Sequence, residues 1–206
     1  MVSLPSQWAK EYGLKKGEEV DVEIEEGALI IRSSGIKQRE AKVLDITGFP
    51  KRFVVKSIIG LYKHGYEEIK VIFKNRDVQN LKTNSVERTE DVLQEIVQGL
   101  IGYEIIEHNS TFIRIKSIAL PSPNEFENVM RRIFLLIQMY MEESIQAYTK
   151  KDKDLLINLT KRKENITRFI TYATRVLVLG KGVVKGEPLT LHSQLARMYD
   201  IVDILW

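Results

Sequence analysis

The chain has 206 residues, of which 44% are hydrophobic and 29% charged, and its formal net charge is +3. These proportions belong to a folded chain long enough for one or two compact domains and exclude wholesale disorder. Cysteine is absent, which removes disulfides, thiolate metal sites and cysteine nucleophiles together and fits a reducing compartment.

The longest apolar runs, Ile133 to Ile137 and Val176 to Leu179, fall far short of the roughly 20 residues a bilayer-spanning helix needs. No membrane insertion is expected. The N-terminus lacks a basic start followed by an apolar core, so no secretory signal is read and the protein is expected in the cytoplasm. Charge is unevenly distributed. Residues 1–32 hold four basic residues (Lys10, Lys15, Lys16, Arg32) against seven acidic ones, a net of −3, while residues 33–120 and 121–206 carry +3 each. No segment is a polybasic surface of the kind that holds nucleic acid by phosphate neutralisation alone.

The first segment, residues 1–35, opens with Val2-Ser3-Leu4-Pro5. Ser6 is suited to cap a short helix bearing Trp8, Ala9 and Tyr12, and Gly13 to end it. After the turn at Lys15-Lys16-Gly17-Glu18, Val20, Val22 and Ile24 alternate with acidic residues in the period of a strand. Glu26-Gly27 turns the chain into Ala28-Leu29-Ile30-Ile31-Arg32, completing a hairpin, and Ser33-Ser34-Gly35 reads as a linker. The middle segment, residues 36–120, alternates extended and helical signals: Ala41 to Ile46 extended, Pro50 to His64 helical, Ile69 to Phe73 extended and Ser85 to Leu100 helical. Tyr103 to Glu107 and Thr111 to Ile118 then flank His108-Asn109-Ser110 as a second hairpin. A small sheet with helices packed on it is expected.

The third segment, residues 121–206, begins with Ser122-Pro123-Asn124-Glu125, a capping box with proline at the first helical position. One apolar stripe is expected along Phe126, Val129, Met130, Ile133, Phe134, Ile137, Tyr140, Met141, Ile145 and Tyr148. Asp152 and Asp154 start a second helix, with Leu155, Leu156, Leu159, Ile166, Phe169, Ile170, Ala173 and Leu177 facing inward to about Gly180. A third helix runs from about Thr190 through Leu191, Leu195, Met198, Val202 and Leu205. Three amphipathic helices in series predict a bundle. The fold class is thus α+β.

Val2-Ser3-Leu4-Pro5, Trp8 to Leu14, Lys16-Gly17-Glu18-Glu19-Val20 and Leu29-Ile30-Ile31-Arg32 resemble the second half of an AbrB or SpoVT-type module. Together with Leu61-Tyr62, Gly65-Tyr66-Glu67-Glu68-Ile69, Leu100-Ile101-Gly102-Tyr103-Glu104-Ile105 and the helical end, they are similar to archaeal PhoU-like phosphate uptake regulators. The resemblance implies an AbrB-like hairpin segment, a small α/β middle domain and a C-terminal three-helix PhoU-like bundle. It also implies a non-catalytic, dimeric transcriptional or signalling regulator of phosphate uptake that binds DNA through its N-terminus. The alternative is an interaction adaptor without DNA binding that contacts a phosphate transporter component or a signalling kinase. The AbrB pattern normally has a further strand before Val-Ser-Leu-Pro, so either a start upstream of Met1 or loss of DNA binding is expected. PhoU bundles carry acidic metal-binding motifs for a divalent metal or iron. In the comparable stretch Lys163 to Phe169, Thr167 stands where an acid is expected, which argues against a metal cluster.

Lys10, Lys15, Lys16 and Arg32 are candidate phosphate contacts if a dimer gathers them on one surface; otherwise they are ordinary surface cations. Glu142, Glu143, Glu164, Asp200 and Asp203 supply a hard cation only if the helices converge, and are otherwise solvated helix faces. Gly180, Gly182 and Gly186 lack the preceding strand and the Lys-Ser/Thr ending of a phosphate loop. His64, His108 and His192 lack metal-ligand spacing and a nucleophile partner. With no convergent acid, base and nucleophile, an enzyme is not expected.

Overall fold

A computed structural model describes residues 3–11, 14–17, 20–25, 28–33, 41–119, 125–180 and 187–204. The fold is α+β, with sheets and six helices among the described residues and a helical C-terminal region. Its contacts divide the chain into two compact units, Met1–Glu40 and Ala41–Trp206.

The first unit contains α1 (Ser6–Glu11), β1 (Val20–Glu25) and β2 (Ala28–Ser33). Ala9 N–H donates to the Pro5 carbonyl at 3.0 Å, and Leu14 N–H folds back to the Ala9 carbonyl at 2.9 Å, closing the helix end. The expected hairpin is present, with Val22 opposite Ile31 and Asp21 opposite Arg32 in an antiparallel two-stranded sheet. Gly13, the Glu26-Gly27 turn and the Ser34-Gly35 part of the linker lie outside the described residues.

The second unit is built on a four-stranded sheet in the order β3-β4-β8-β7. Its strands are β3 (Lys42–Asp45), β4 (Glu68–Ile72), β7 (Tyr103–His108) and β8 (Phe112–Ser117). β3 and β4 are parallel, joined through α2 (Lys51–Lys63), and the other pairs are antiparallel. Alternation along β4 and β8 sends Ile69, Val71, Ile113 and Ile115 to one face, all at most 2% exposed. α2 covers that core with Val54, Ile58 and Tyr62, spaced four residues apart on one helix face. Gly65, at φ 80°, ends the helix in a left-handed turn that a side chain would strain.

Sequence and structure part at Ser85 to Leu100. The helix, α3 (Thr89–Gln98), starts four residues later, and Ser85–Arg88 is a strand, β6, paired with β5 (Asp77–Asn80). The hairpin turns at Asn84, held at φ 53°, a conformation that asparagine tolerates better than most residues. Glu87 on β6 accepts hydrogen bonds from Lys51 and from Asn80, at 2.8 and 2.7 Å, which anchors the strand to α2.

The helical region holds α4 (Phe126–Lys150), α5 (Lys153–Leu179) and α6 (Pro188–Ile204). Asp152 caps α5, accepting from Leu155 N–H at 3.0 Å, as its sequence position predicts. Of the expected capping box before α4, residues 122–124 lie outside the described residues, and Glu125 makes no side-chain cap. α6 begins two residues before Thr190, because Pro188 takes the first helical position and the Glu187 carboxylate accepts from Thr190 N–H at 2.7 Å. Phe126, Ile133, Ile137, Tyr140 and Ala147 meet Leu159, Ile166, Ile170, Ala173, Leu195, Met198 and Val202 in a second hydrophobic cluster. The stripe predicted for α4 is wider than what is covered. Phe134, Met141, Ile145 and Tyr148 are exposed, since they sit roughly 90° around the helix from the buried row at about 100° per residue. Leu156 on α5 is likewise exposed. The two clusters meet at Tyr172, which packs against both.

Candidate functional site

In the first unit, Val22 and Ile31 are register partners and share a face of the hairpin, which Val20 and Leu29 join by the two-residue period. That face is half open: Val22 and Leu29 are each 51% exposed. Of the four candidate phosphate contacts, Lys10 lies in the last turn of α1, and Lys15 and Lys16 follow in the turn that Leu14 folds back onto that helix end; all three are exposed. Lys15 has a partner within the chain. Arg32 lies on β2 opposite Asp21, and its side chain is outside the described residues. The helix end thus brings three lysines into one neighbourhood, and Arg32 belongs to the hairpin.

The acidic residues of the helices do not converge. Gln138 donates to Glu142 at 3.0 Å, Glu143 pairs with Arg162, and Asp203 pairs with Lys163 at 2.8 Å. Glu164 lines one cleft, and Asp200 another of about 230 Å³ that it shares with Lys63 and His192. Burial lowers the pKa of the Lys63 ammonium. Among the described residues no three His, Asp or Glu side chains are grouped to hold a metal. The histidines are equally dispersed: His64 is 2.8 Å from the Gly60 carbonyl through Nδ1, His108 lies 3.5 Å from Glu90, and His192 is on α6. Gly180 caps the end of α5, and Gly182 and Gly186 lie outside the described residues.

The best-built polar constellation is one that sequence reading missed. Arg175 on α5 is 1% exposed. Its guanidinium donates to the carbonyls of Tyr62 and Tyr66 at 2.8 and 3.0 Å, and to the Tyr103 hydroxyl at 3.2 Å. The rings of Tyr62 and Tyr103 flank it at 4.8 and 4.9 Å. No carboxylate forms an ion pair with it among the described residues. Its charge is instead answered by carbonyls at the negative end of α2 and by two aromatic faces. The Tyr103 hydroxyl in turn donates to the Tyr66 carbonyl. Burial pushes both phenols up in pKa, against the lowering effect of the neighbouring guanidinium. Every donor contact faces inward, so the constellation fastens α5 to α2 and the sheet. The sequence signal was a single charge, the only one between Arg168 and Lys181, inside an apolar run.

Residues 1–39 match the family model described as "Antidote-toxin recognition MazE, bacterial antitoxin". The match supports the AbrB-like reading of the N-terminal segment and makes it similar to a module of DNA-binding or antitoxin-type regulators, which typically form dimers. Comparison with curated proteins and with solved structures found no match. None of the described helices is long and apolar enough to cross a membrane.

Proposed function

We propose that this protein is a non-enzymatic, cytoplasmic regulator that dimerises through its N-terminal hairpin and addresses DNA with that unit. The observation that carries the reading is the match of residues 1–39 to the MazE antitoxin model. It is joined by the half-open apolar face of the hairpin, since an isolated two-stranded hairpin is marginal in water and its edges invite pairing with another chain. On this reading Lys10, Lys15, Lys16 and Arg32 contact phosphates once two copies assemble. The assignment of the regulated process to phosphate uptake rests on the sequence resemblance of the middle and helical segments alone.

The second reading, an adaptor that contacts a transporter component or a signalling kinase without binding DNA, is favoured by the net charge of −3 over residues 1–32. Titration of the purified chain against DNA from upstream of its own gene, over a salt series, separates the two. Sequence-selective binding whose affinity falls steeply with salt supports the DNA reading, because each neutralised phosphate releases counterions. Absence of binding at low salt by a verified dimer removes it in favour of the adaptor.

A further inference from the structure

α5 carries Lys161, Glu164, Asn165 and Arg168 along one side of a cleft of about 550 Å³, within the second unit. The facing wall differs in chemistry: Val55 and Ile59 come from α2, and Ile96 and Leu100 from α3 and its end. Such a volume falls inside the range of roughly 300–1,000 Å³ typical of small-molecule sites, which combine an apolar lining with a few polar groups that fix orientation.

The charges can be assigned one by one. Lys161 and Arg168 are exposed and have no hydrogen-bond or ion-pair partner among the described residues. Of the two carboxylates on the lining, Glu95 is engaged by Lys51 at 2.8 Å. Glu87 shares that lysine at the same distance, and on α5 Glu164 offsets one of the two cations, so the α5 wall by itself is net positive. Arg168 also lines an adjoining cleft of about 520 Å³ with Gln98 and Leu100, so its planar fork can be reached from two sides. Guanidinium groups suit planar oxyanions, which they hold by two parallel hydrogen bonds.

From this asymmetry we propose that the cleft between α2, α3 and α5 binds an amphipathic organic monoanion, its acid group on Arg168 and Lys161 and its apolar body against Ile59 and Ile96. The site is independent of the N-terminal unit, and the proposal stands whether or not the chain binds DNA.

The test uses the full chain and 1-anilinonaphthalene-8-sulfonate, an aromatic monoanion whose fluorescence rises in apolar surroundings, beside N-phenyl-1-naphthylamine, which lacks the sulfonate. Saturable one-site binding of the anionic probe is expected, with the neutral probe at least about tenfold weaker. The double variant Lys161→Gln, Arg168→Gln should weaken the anionic probe by about 10- to 100-fold, the range expected for a lost charged hydrogen-bonding contact. It should leave the neutral probe unchanged. Thr167→Trp, which fills the cleft from α5, should abolish binding of both. Ile145→Glu, on the exposed face of α4, should alter neither. Circular dichroism of each variant establishes that it is folded. Undiminished anionic binding in the double variant or in Thr167→Trp overturns the site. Equal affinity for the two probes overturns the anionic class, and absence of saturable binding up to about 1 mM probe overturns both.

Discussion

The N-terminal hairpin and the four-stranded sheet of the second unit use the same alphabet to different ends. In β1, valine and isoleucine alternate with acidic residues and face Leu29 and Ile31 of β2, and Val22 and Leu29 are left 51% exposed. In β4 and β8 the same alternation leaves Ile69, Val71, Ile113 and Ile115 at most 2% exposed. The difference is cover. The second sheet has α2 and α3 of its own unit over its apolar face, whereas the N-terminal hairpin leaves much of its apolar face to water. A strand pattern therefore states that a face is to be buried, and leaves open which chain buries it. The hairpin reads as one half of an assembly, and the larger unit as self-sufficient.

The largest effect expected from a single change tests that self-sufficiency. Arg175→Ala removes the guanidinium hydrogen bonds to the Tyr62 and Tyr66 carbonyls, which keep the Gly65 N–H and the Tyr103 hydroxyl as donors, and empties the space between two tyrosine rings. The lost charged hydrogen bonds, with the cavity left by a fully buried side chain added, give a loss of about 3–5 kcal/mol. Chemical denaturation should show it at every protein concentration. Arg175→Lys keeps the charge without the planar fork and should fall between the variant and the parent. A loss under about 1 kcal/mol for the alanine variant would mean that α5 is held to the sheet by apolar contact alone.

The hairpin should respond in the opposite way. Val22→Asp and Leu29→Asp alter side chains that are half exposed in the single chain, so the melting of the larger unit should not move. Sedimentation equilibrium should instead show dimer association weakened by at least about 100-fold, as expected for a charge buried in an interface. A parent chain that is monomeric at micromolar concentration, or a dimer indifferent to both substitutions, would break the comparison.

How far this was legible in the sequence depends on whether the deciding interaction is local. The N-terminal hairpin, α2 and the Asp152 cap of α5 are written in neighbouring residues and appear where periodicity and capping chemistry put them. The β5–β6 hairpin was hidden because Ser85–Arg88 runs directly into α3, and its pairing rests on Asn84 and on Glu87 reaching Lys51 from a distant helix. The exposed half of the α4 stripe was misread because hydrophobicity marks a face without saying how much of it a neighbour covers. Arg175 was missed because its partners lie 58 to 113 residues away. Of the candidate site, the three lysines around the end of α1 were legible; the cleft on α5 was not, since its apolar wall comes from α2 and α3.

A smaller effect is expected inside the helical cluster. The Tyr140 side chain is fully buried and its hydroxyl has no hydrogen-bond partner among the described residues. Burial raises its pKa, Lys163 lowers it and Asp203 raises it. Tyr140→Phe removes an unsatisfied polar atom while keeping the ring, and should leave stability unchanged or raise it by up to about 1 kcal/mol. A clear loss in denaturant titration would indicate that a bound water satisfies the hydroxyl.

The smallest expected effect lies on the seam between α2, α3 and β6, where the Lys51 ammonium reaches Glu87 and Glu95 at 2.8 Å each. Hydrogen bonds from Lys51 and then Asn80 hold the Glu87 carboxyl below its ordinary 4.5. For Lys51, burial is the largest single influence and lowers the pKa, yet the bonds to Glu87 and Glu95 outweigh it and hold the ammonium above its ordinary 10.5. The two signs set a window. A depressed carboxylate contributes stability above its unfolded pKa and loses it as pH falls through the folded value, while a raised ammonium contributes below its unfolded pKa and loses it as pH rises through the folded value. Lys51→Met should therefore cost about 1–3 °C in melting temperature on a plateau from roughly pH 5 to pH 10, the modest size being that of a largely solvated pair. As pH falls below 4.5 and through the lower folded value of Glu87, the parent and variant curves should converge, because protonated Glu87 no longer distinguishes them. A constant gap across that acid limb would assign the cost to lost packing of the lysine stem, and the seam would then be apolar, like the core beneath it.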